Sequence, residues 1–134
     1  MQITSTDISN KALEIAKKNA KQLNTDITFV RSDLFSNIDF KYDYIFANLP
    51  YVPTTLEVSQ EVLTEPSIAV FSGEDGLECI KEFIPQATQH CNKYGYVFIE
   101  SLKIQHKALE DFAKKHNLKL VNTTGLIQVY QKTS

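Results

Sequence analysis

Short apolar segments alternate with amphipathic helical periods along this chain, and that alternation restricts the folds it can adopt. Strands are predicted at residues 2–5, 27–30, 42–47, 96–99, 119–122 and 126–130. Helices are predicted between them, one capped by Ser9 and others whose periods begin at Gly76 and Ile104. Strands that alternate with helices form a mostly parallel sheet covered on both faces, which is an α/β architecture. Only residues 123–125 join the last two strands, which is too short for a crossover, so we expect an antiparallel hairpin there.

The length and composition are those of one soluble globular domain. The 134 residues fit a single domain, 1–134, with a core of its own. Hydrophobic residues make up 43% and charged residues 22%, which argues against intrinsic disorder. The formal net charge of -2 gives no reason to expect direct binding to nucleic acid. No apolar run reaches the ~18 residues of a membrane span, and residues 1–10 do not resemble a signal peptide, so we expect a cytoplasmic protein with no membrane partner.

Cysteine and histidine usage predicts neither a disulfide nor a metal site. Cys79 and Cys91 fall in one predicted helix, about 18 Å apart, so both are expected to be reduced. The three histidines, His90, His106 and His116, are scattered and match no common metal-ligand spacing.

Two aspartates directly follow the first two predicted strands, where ligands bind to open parallel sheets. The carboxylate of Asp7 could accept hydrogen bonds from both hydroxyls of a ribose, with Ile8 against an adenine face. The alternative is that Asp7 only favours the start of the following helix. Asp33 could accept from an adenine amino group, or it could simply form a turn after its strand.

The sharpest motif is Asn48-Leu49-Pro50-Tyr51, which follows the apolar strand 42–47 at once. Pro50 keeps Leu49 out of the helical region and so restricts the direction of the Leu49 carbonyl. Together with the Asn48 side-chain oxygen, that carbonyl could accept both hydrogens of a planar amide or amine, and Tyr51 could cover the flat group. The alternative is a proline-stiffened loop with a buried tyrosine. A long, structured loop is expected from residue 48 to residue 76, with one helical turn near residues 56–63.

Several motifs in a fixed order give the chain a family resemblance. Asp7-Ile8-Ser9, Ser32-Asp33-Leu34-Phe35 and Asn48-Leu49-Pro50-Tyr51 resemble the Rossmann-like, S-adenosylmethionine-dependent methyltransferases that act on nitrogen. Glu65-Pro66, Gly73-Glu74-Asp75-Gly76-Leu77, Ile99-Glu100 and Gln105 are similar to the HemK-type glutamine-N5 methyltransferases of peptide-chain release factors. Leu49 departs from the proline that this family usually has at that position.

The resemblance implies a fold, an activity and a set of site residues. The fold is a Rossmann-like class I methyltransferase sheet, mostly parallel, with a C-terminal antiparallel hairpin. The activity is methyl transfer from S-adenosyl-L-methionine to the side-chain amide nitrogen of a glutamine in a release factor. The implied catalytic motif is Asn48, Leu49, Pro50 and Tyr51; the cofactor residues are Asp7, Ile8, Asp33, Leu34 and Asn48; and the substrate residues are Asn48, Pro50, Tyr51, Glu65 and Pro66.

One departure from the family concerns glycine. The family has a glycine-rich loop after its first strand, yet this chain has no glycine before Gly73. We therefore expect the sheet to lack that first strand and its loop, which leaves unpaired edges between the strands of Ile3 and Tyr44. Those two strands could pair directly, a second chain could fill the gap by self-association, or the chain could be poorly folded. We expect this chain alone to bind the cofactor weakly or not at all.

Two other functions remain open from the sequence. The first is an rRNA adenine N6-methyltransferase, since Asn-Leu-Pro-Tyr also occurs in that group. RNA binding needs a basic face, for which the chain offers little beyond the lysines near its end, Lys103, Lys107, Lys114, Lys115 and Lys119. The second is a non-catalytic remnant, or a half that works only with a partner chain.

Overall fold

The computed structural model describes residues 1–51, 53 and 75–134, which divide into two compact units. Unit 1 is Met1–Phe40 and unit 2 is Lys41–Ser134. Unit 1 contains β1 (Thr4–Asp7), α1 (Asn10–Gln22) and β2 (Thr28–Arg31). Unit 2 contains β3 (Tyr42–Ala47), α2 (Glu78–His90), β4 (Cys91–Glu100), a 3-10 turn (Lys103–Gln105), α3 (His106–Lys114), β5 (Leu118–Thr124) and β6 (Ile127–Lys132). The predicted order of strands and helices is confirmed.

Unit 1 is a strand, a helix and a second strand. β1 and β2 pair in parallel, with Asp7 opposite Arg31 at their carboxyl ends. The helix begins where predicted, because the Ser9 hydroxyl accepts a hydrogen bond from the Ala12 amide at 3.3 Å. Leu13 and Ala20 are its buried residues. Leu23 is 73% exposed, because the helix ends at Gln22 and Leu23 is only its C-cap.

Unit 2 is built on a four-stranded sheet of order β3-β4-β6-β5. β3 and β4 are parallel, whereas β6 is antiparallel to both β4 and β5. The hairpin between β5 and β6 is therefore present as predicted. Its second strand, β6, also pairs with β4. Gly125 has φ +59 in the connecting turn, a backbone conformation that glycine adopts at little cost.

The core of unit 2 lies between its sheet and its helices. Its largest fully buried apolar side chains come from α2, β4, α3, β5 and β6: Ile80, Ile84, Val97, Ile99, Leu109, Leu118 and Tyr130. Two details of the prediction are wrong. Cys91 begins β4 instead of ending the helix, and Ile104 is 83% exposed because it lies in the 3-10 turn before α3. Neither cysteine forms a disulfide.

The other face of the unit 2 sheet carries stacked aromatic rings. Tyr44 lies opposite Tyr96 with ring centroids 5.9 Å apart, and Phe46 lies opposite Phe98 at 4.4 Å. Tyr44 is 61% exposed and Phe46 is 74% exposed. Among the described strands, β3 pairs only with β4, and β1 belongs to the other sheet.

Within the described ranges, no helix combines the length and the apolar character needed to cross a bilayer. The helical turn predicted near residues 56–63 lies outside the described residues.

Candidate functional site

The turn after β1 places Asp7 and Ile8 at the carboxyl end of the unit 1 sheet. Asp7 Oδ1 accepts a hydrogen bond from the Ser9 amide at 2.8 Å, so this carboxylate does support the start of α1. A carboxylate has about four lone-pair positions, so the exposed Asp7 retains capacity for further donors. Ile8 is 46% exposed, and its carbonyl accepts from Arg31 Nε at 3.1 Å. Both readings of Asp7 are compatible with this geometry.

The turn after β2 is organised by the buried Ser32, a role that its place in the Ser-Asp-Leu-Phe motif did not predict. The Ser32 side chain is 3% exposed; its hydroxyl donates to the Leu34 carbonyl at 2.8 Å and accepts from the Asn37 amide at 3.0 Å. Leu34 takes a left-handed conformation, φ 51, inside this turn. Asp33 is exposed, and its amide donates to the Ser36 hydroxyl at 3.1 Å. A serine after a strand is common in turns, so its sequence position alone carries little signal.

The two turns are neighbours within unit 1. The Ser32 amide donates to the Asp7 carbonyl at 3.1 Å, which continues the parallel pairing of β1 and β2 by one step. Asp7, Ile8, Asp33 and Leu34 therefore lie at the same edge of one sheet, as the strand assignment predicted.

The tip of β3 presents Asn48 to solvent. Asn48 is exposed, and the three residues after it are partly buried. Asn48 is thus accessible to solvent at the end of the strand. The pair of acceptors and the proline-stiffened loop both stay predictions.

The side chain of Tyr51 is fixed by a hydrogen bond of its hydroxyl group. Its hydroxyl donates to Oε1 of Glu100, the last residue of β4, at 3.3 Å. Burial raises the pKa of Tyr51, and the neighbouring Glu100 carboxylate raises it further by disfavouring the phenolate. The phenol therefore stays neutral at physiological pH and acts as a donor.

Tyr51 is also held through its main chain, by a residue far along the sequence. Gln105 is 4% exposed, and its Nε2 donates to the Tyr51 carbonyl at 2.7 Å and to the Asp75 carbonyl at 2.9 Å. Its Oε1 accepts from the Leu102 amide at 2.8 Å. Gln105 thus joins the tip of β3, the segment before α2 and the end of β4.

Gly76 allows this close approach. It has φ +75, and a Cβ atom at this position would overlap the Tyr51 carbonyl oxygen and lie 2.6 Å from Gln105 Nε2. Sequence reasoning connected Gly76 and Gln105 to the site only through the family resemblance. Gln105 and Tyr51 are 54 positions apart, so no local pattern could have paired them.

The predicted site residues therefore form two groups. Asp7, Ile8, Asp33 and Leu34 belong to unit 1, and residues 48–51 belong to unit 2. Glu65 and Pro66 lie outside the described residues.

The family model described as methyltransferase small domain matches residues 1–68. The release factor glutamine methyltransferase of Streptococcus pneumoniae is 36% identical over 117 residues, which is 85% of this chain and 42% of that protein. The protein of the same description from Borreliella burgdorferi is 35% identical over 122 residues, which is 88% of this chain and 43% of that protein. The chain thus spans less than half the length of these relatives.

A solved structure, a methyltransferase from Pyrococcus furiosus, superposes with a TM-score of 0.70 at 16% identity, covering 99% of this chain and 64% of that one. The fold is that of the Rossmann-like class I methyltransferases, as predicted. With more than half of its residues matched, the chain belongs to the methyltransferase small domain family. The predicted resemblance to the HemK-type glutamine methyltransferases is confirmed by the sequence relatives.

Proposed function

We propose that this chain takes part in the transfer of a methyl group from S-adenosyl-L-methionine to the side-chain amide nitrogen of a glutamine in a peptide-chain release factor. The observation that carries the proposal is the tip of β3, where an exposed Asn48 precedes a proline-restricted carbonyl and a doubly anchored Tyr51. The names of the Streptococcus and Borreliella relatives support glutamine as the acceptor. Residues 1–134 would act as one methyltransferase domain in the cytoplasm.

Unit 1 supplies the cofactor contacts in this proposal. The exposed carboxylate of Asp7 accepts from the ribose hydroxyls, and the exposed face of Ile8 packs against the adenine. Asp33 and Leu34 meet the adenine edge, in a turn that Ser32 keeps rigid. These acceptors and surfaces fit a nucleoside, because groups that accept hydroxyl and amino hydrogens lie beside an apolar surface.

Unit 2 supplies the substrate contacts. Asn48 Oδ1 and the Leu49 carbonyl accept the two hydrogens of the glutamine amide, and Tyr51 packs beside its plane. Pro50 borders the substrate in this proposal, and the family resemblance implies the same role for Glu65 and Pro66. Placing both acceptors in advance avoids the cost of orienting them during the reaction.

The chemistry follows from these acceptors. An amide nitrogen is a poor nucleophile, because its lone pair is delocalised into the carbonyl. When bound, the cofactor supplies a methyl group on a sulfonium, whose S–C bond breaks as the N–C bond forms while the bonding electrons stay on sulfur. Asn48 and Leu49 stabilise the positive charge that grows on nitrogen, which is electrostatic preorganisation. The nitrogen then loses its proton to solvent, so no general base is assigned.

We further propose that chains self-associate through the edge of β3. Among the described strands β3 is the outer strand of its sheet and neighbours β4, and the exposed rings of Tyr44 and Phe46 lie beside its outer edge. Unpaired edges with apolar side chains favour pairing with another chain.

The function is tested by mixing the chain, labelled cofactor at saturating concentration and a purified release factor. The expected result is label on a glutamine of the release factor, with none when that glutamine is replaced by glutamate. Calorimetric titration of residues 1–134 should show cofactor binding weaker than micromolar, because no glycine precedes Gly73 in this sequence to let the backbone approach the cofactor closely. Label on an RNA adenine would support the rRNA methyltransferase instead, and no transfer to either acceptor would support the remnant.

A further inference from the structure

We propose that Gln105 is a positioning residue of the transferase site: through the Tyr51 carbonyl it sets the direction of the two acceptors at the tip of β3. This inference rests on the proposed function and assigns a role to a residue that does not touch the substrate. Loss of Gln105 should therefore lower the rate of methyl transfer, whereas loss of most other buried side chains would only lower stability.

The hydrogen bonds of Gln105 determine the orientation of its amide. Both Nε2 hydrogens are used, on the carbonyls of Tyr51 and Asp75, at 2.7 and 2.9 Å. Oε1 accepts from the Leu102 amide at 2.8 Å. A flipped amide would direct Oε1 at two carbonyl oxygens and Nε2 at an N–H group, so only one orientation is stable.

The backbone around this contact is shaped for it. Gly76 has a positive φ, and a side chain there would collide with Tyr51, Gln105 and Pro53, whose backbone nitrogen would lie 2.9 Å from the added carbon. The close approach of two main-chain segments with a buried amide between them leaves the Tyr51 carbonyl little freedom to move.

Tyr51 and Pro50 connect the hydrogen bonds of Gln105 to the acceptors at the tip of β3. Glu100 holds the hydroxyl end of Tyr51 and Gln105 holds its main chain, so the residue is fixed at both ends. Pro50 lies between Tyr51 and Leu49, and its ring fixes its own φ. Motion of the Tyr51 carbonyl therefore changes the direction of the Leu49 carbonyl. A displacement of about 1 Å at a reacting group can lower a rate about a hundredfold.

Gln128 offers a matched control in the same unit. It is also buried, at 1% exposure; its Nε2 donates to the His106 carbonyl at 3.2 Å and its Oε1 accepts from the Tyr130 hydroxyl at 3.0 Å. None of these bonds involves residues 48–51. Replacing either glutamine by methionine removes a buried amide at similar volume.

The test compares the full chain with Gln105→Met and Gln128→Met under conditions where all three are folded. In Gln105→Met, kcat for glutamine methylation at saturating cofactor should fall at least about tenfold, while the KM for S-adenosylmethionine changes little. Gln128→Met should keep the wild-type kcat. Equal kcat values for the two variants would overturn the inference. If Gln105→Met does not fold, Gln105→Asn, which shortens the amide by one methylene, takes its place.

A second readout does not depend on activity. The ionisation of Tyr51 is followed by NMR of ring-labelled tyrosine in the same proteins. Release of its main chain should expose the phenol, so the pKa of Tyr51 should fall towards its ordinary value in Gln105→Met but not in Gln128→Met. An unchanged pKa in Gln105→Met overturns the inference. If the wild-type chain methylates no glutamine, the proposed function fails, and this titration still decides whether Gln105 positions Tyr51.

Discussion

The hydroxyl of Tyr51 donates a hydrogen bond to Oε1 of Glu100 at 3.3 Å, which joins the tip of β3 to the last residue of β4. These strands are parallel neighbours, so their carboxyl ends meet at one edge of the sheet. The tyrosine of the Asn-Leu-Pro-Tyr motif is thereby placed by tertiary structure, and the first acceptor of the motif, Asn48, remains exposed beside it.

Gly76→Ala should destabilise the chain more than Gly125→Ala. Both glycines have positive φ, but only at Gly76 would the added carbon meet other atoms, whereas nothing lies within 4 Å at Gly125. We expect a loss of about 3 kcal/mol at Gly76, from strain plus overlap, against about 1 kcal/mol at Gly125. Urea denaturation measures both losses, and equal values would contradict the role given to the Gly76 contact.

Asp7→Asn and Asn48→Ala should affect different steps of the proposed reaction. Loss of the Asp7 charge should weaken cofactor binding about tenfold, the range for one charge-assisted hydrogen bond. Loss of the Asn48 acceptor should lower the transfer rate at saturating cofactor about a hundredfold. Titration calorimetry and single-turnover transfer separate the two effects. A wild-type transfer rate in Asn48→Ala would remove the basis of the proposed site.

Ser32→Ala and Ser101→Ala should have opposite consequences for stability. The Ser32 hydroxyl joins two backbone groups, so its loss should cost about 1 kcal/mol. Ser101 is 0% exposed, and its hydroxyl has no hydrogen-bond partner in the structure as described. Replacing it by alanine removes an unsatisfied polar atom, so stability should stay the same or rise. Thermal denaturation of both variants checks this, and a clear loss in Ser101→Ala would reveal a partner for that hydroxyl.

Alkaline pH should destabilise the fold by ionising two phenols, those of the buried Tyr130 and the partly buried Tyr51. Burial raises the pKa of Tyr130 strongly, with a smaller contribution from Glu110, and burial also raises the pKa of Tyr51. Above the ordinary tyrosine pKa of about 10, the unfolded chain releases these protons before the folded one, so stability falls as pH rises. Below that pH both states keep the protons and the effect vanishes. The double variant Tyr51→Phe, Tyr130→Phe should show a flatter loss of stability above this pH in urea titrations, and a slope equal to that of wild type would contradict the assignment.

Phe46→Lys should reduce self-association while leaving the fold intact. Phe46 is 74% exposed and stacks on Phe98, so a charge there disfavours pairing of two β3 edges without opening the core. Sedimentation velocity over a range of concentrations should show dimers in the wild-type chain and mainly monomers in the variant. Ile104→Lys, at another exposed apolar residue, is the control and should behave as wild type. A monomeric wild-type chain would exclude this surface.

Local patterns in the sequence were sufficient to predict most of the elements. The strand at residues 42–47 agrees with β3 residue for residue, because its apolar run and the proline after it mark both ends. The first helix begins after Ser9 as its capping pattern indicates. Patterns were less informative where one element passes directly into the next, so Cys91 was placed on α2 although it begins β4. The candidate residues Asp7, Asp33 and Asn48 were found in the same way, because each lies at the carboxyl end of a strand or within two residues of it.

The amino-acid sequence by itself thus determined the order of elements, the polar residues at the strand ends and the family resemblance, since these depend on short-range periodicity and on motifs. Only the tertiary structure decided that Gln105 holds Tyr51, that Gly76 must lack a side chain, and that β6 lies between β4 and β5. The physical reason is that hydrogen bonds and steric contacts between distant segments depend on how the chain folds back on itself, which leaves no periodic signal along the sequence.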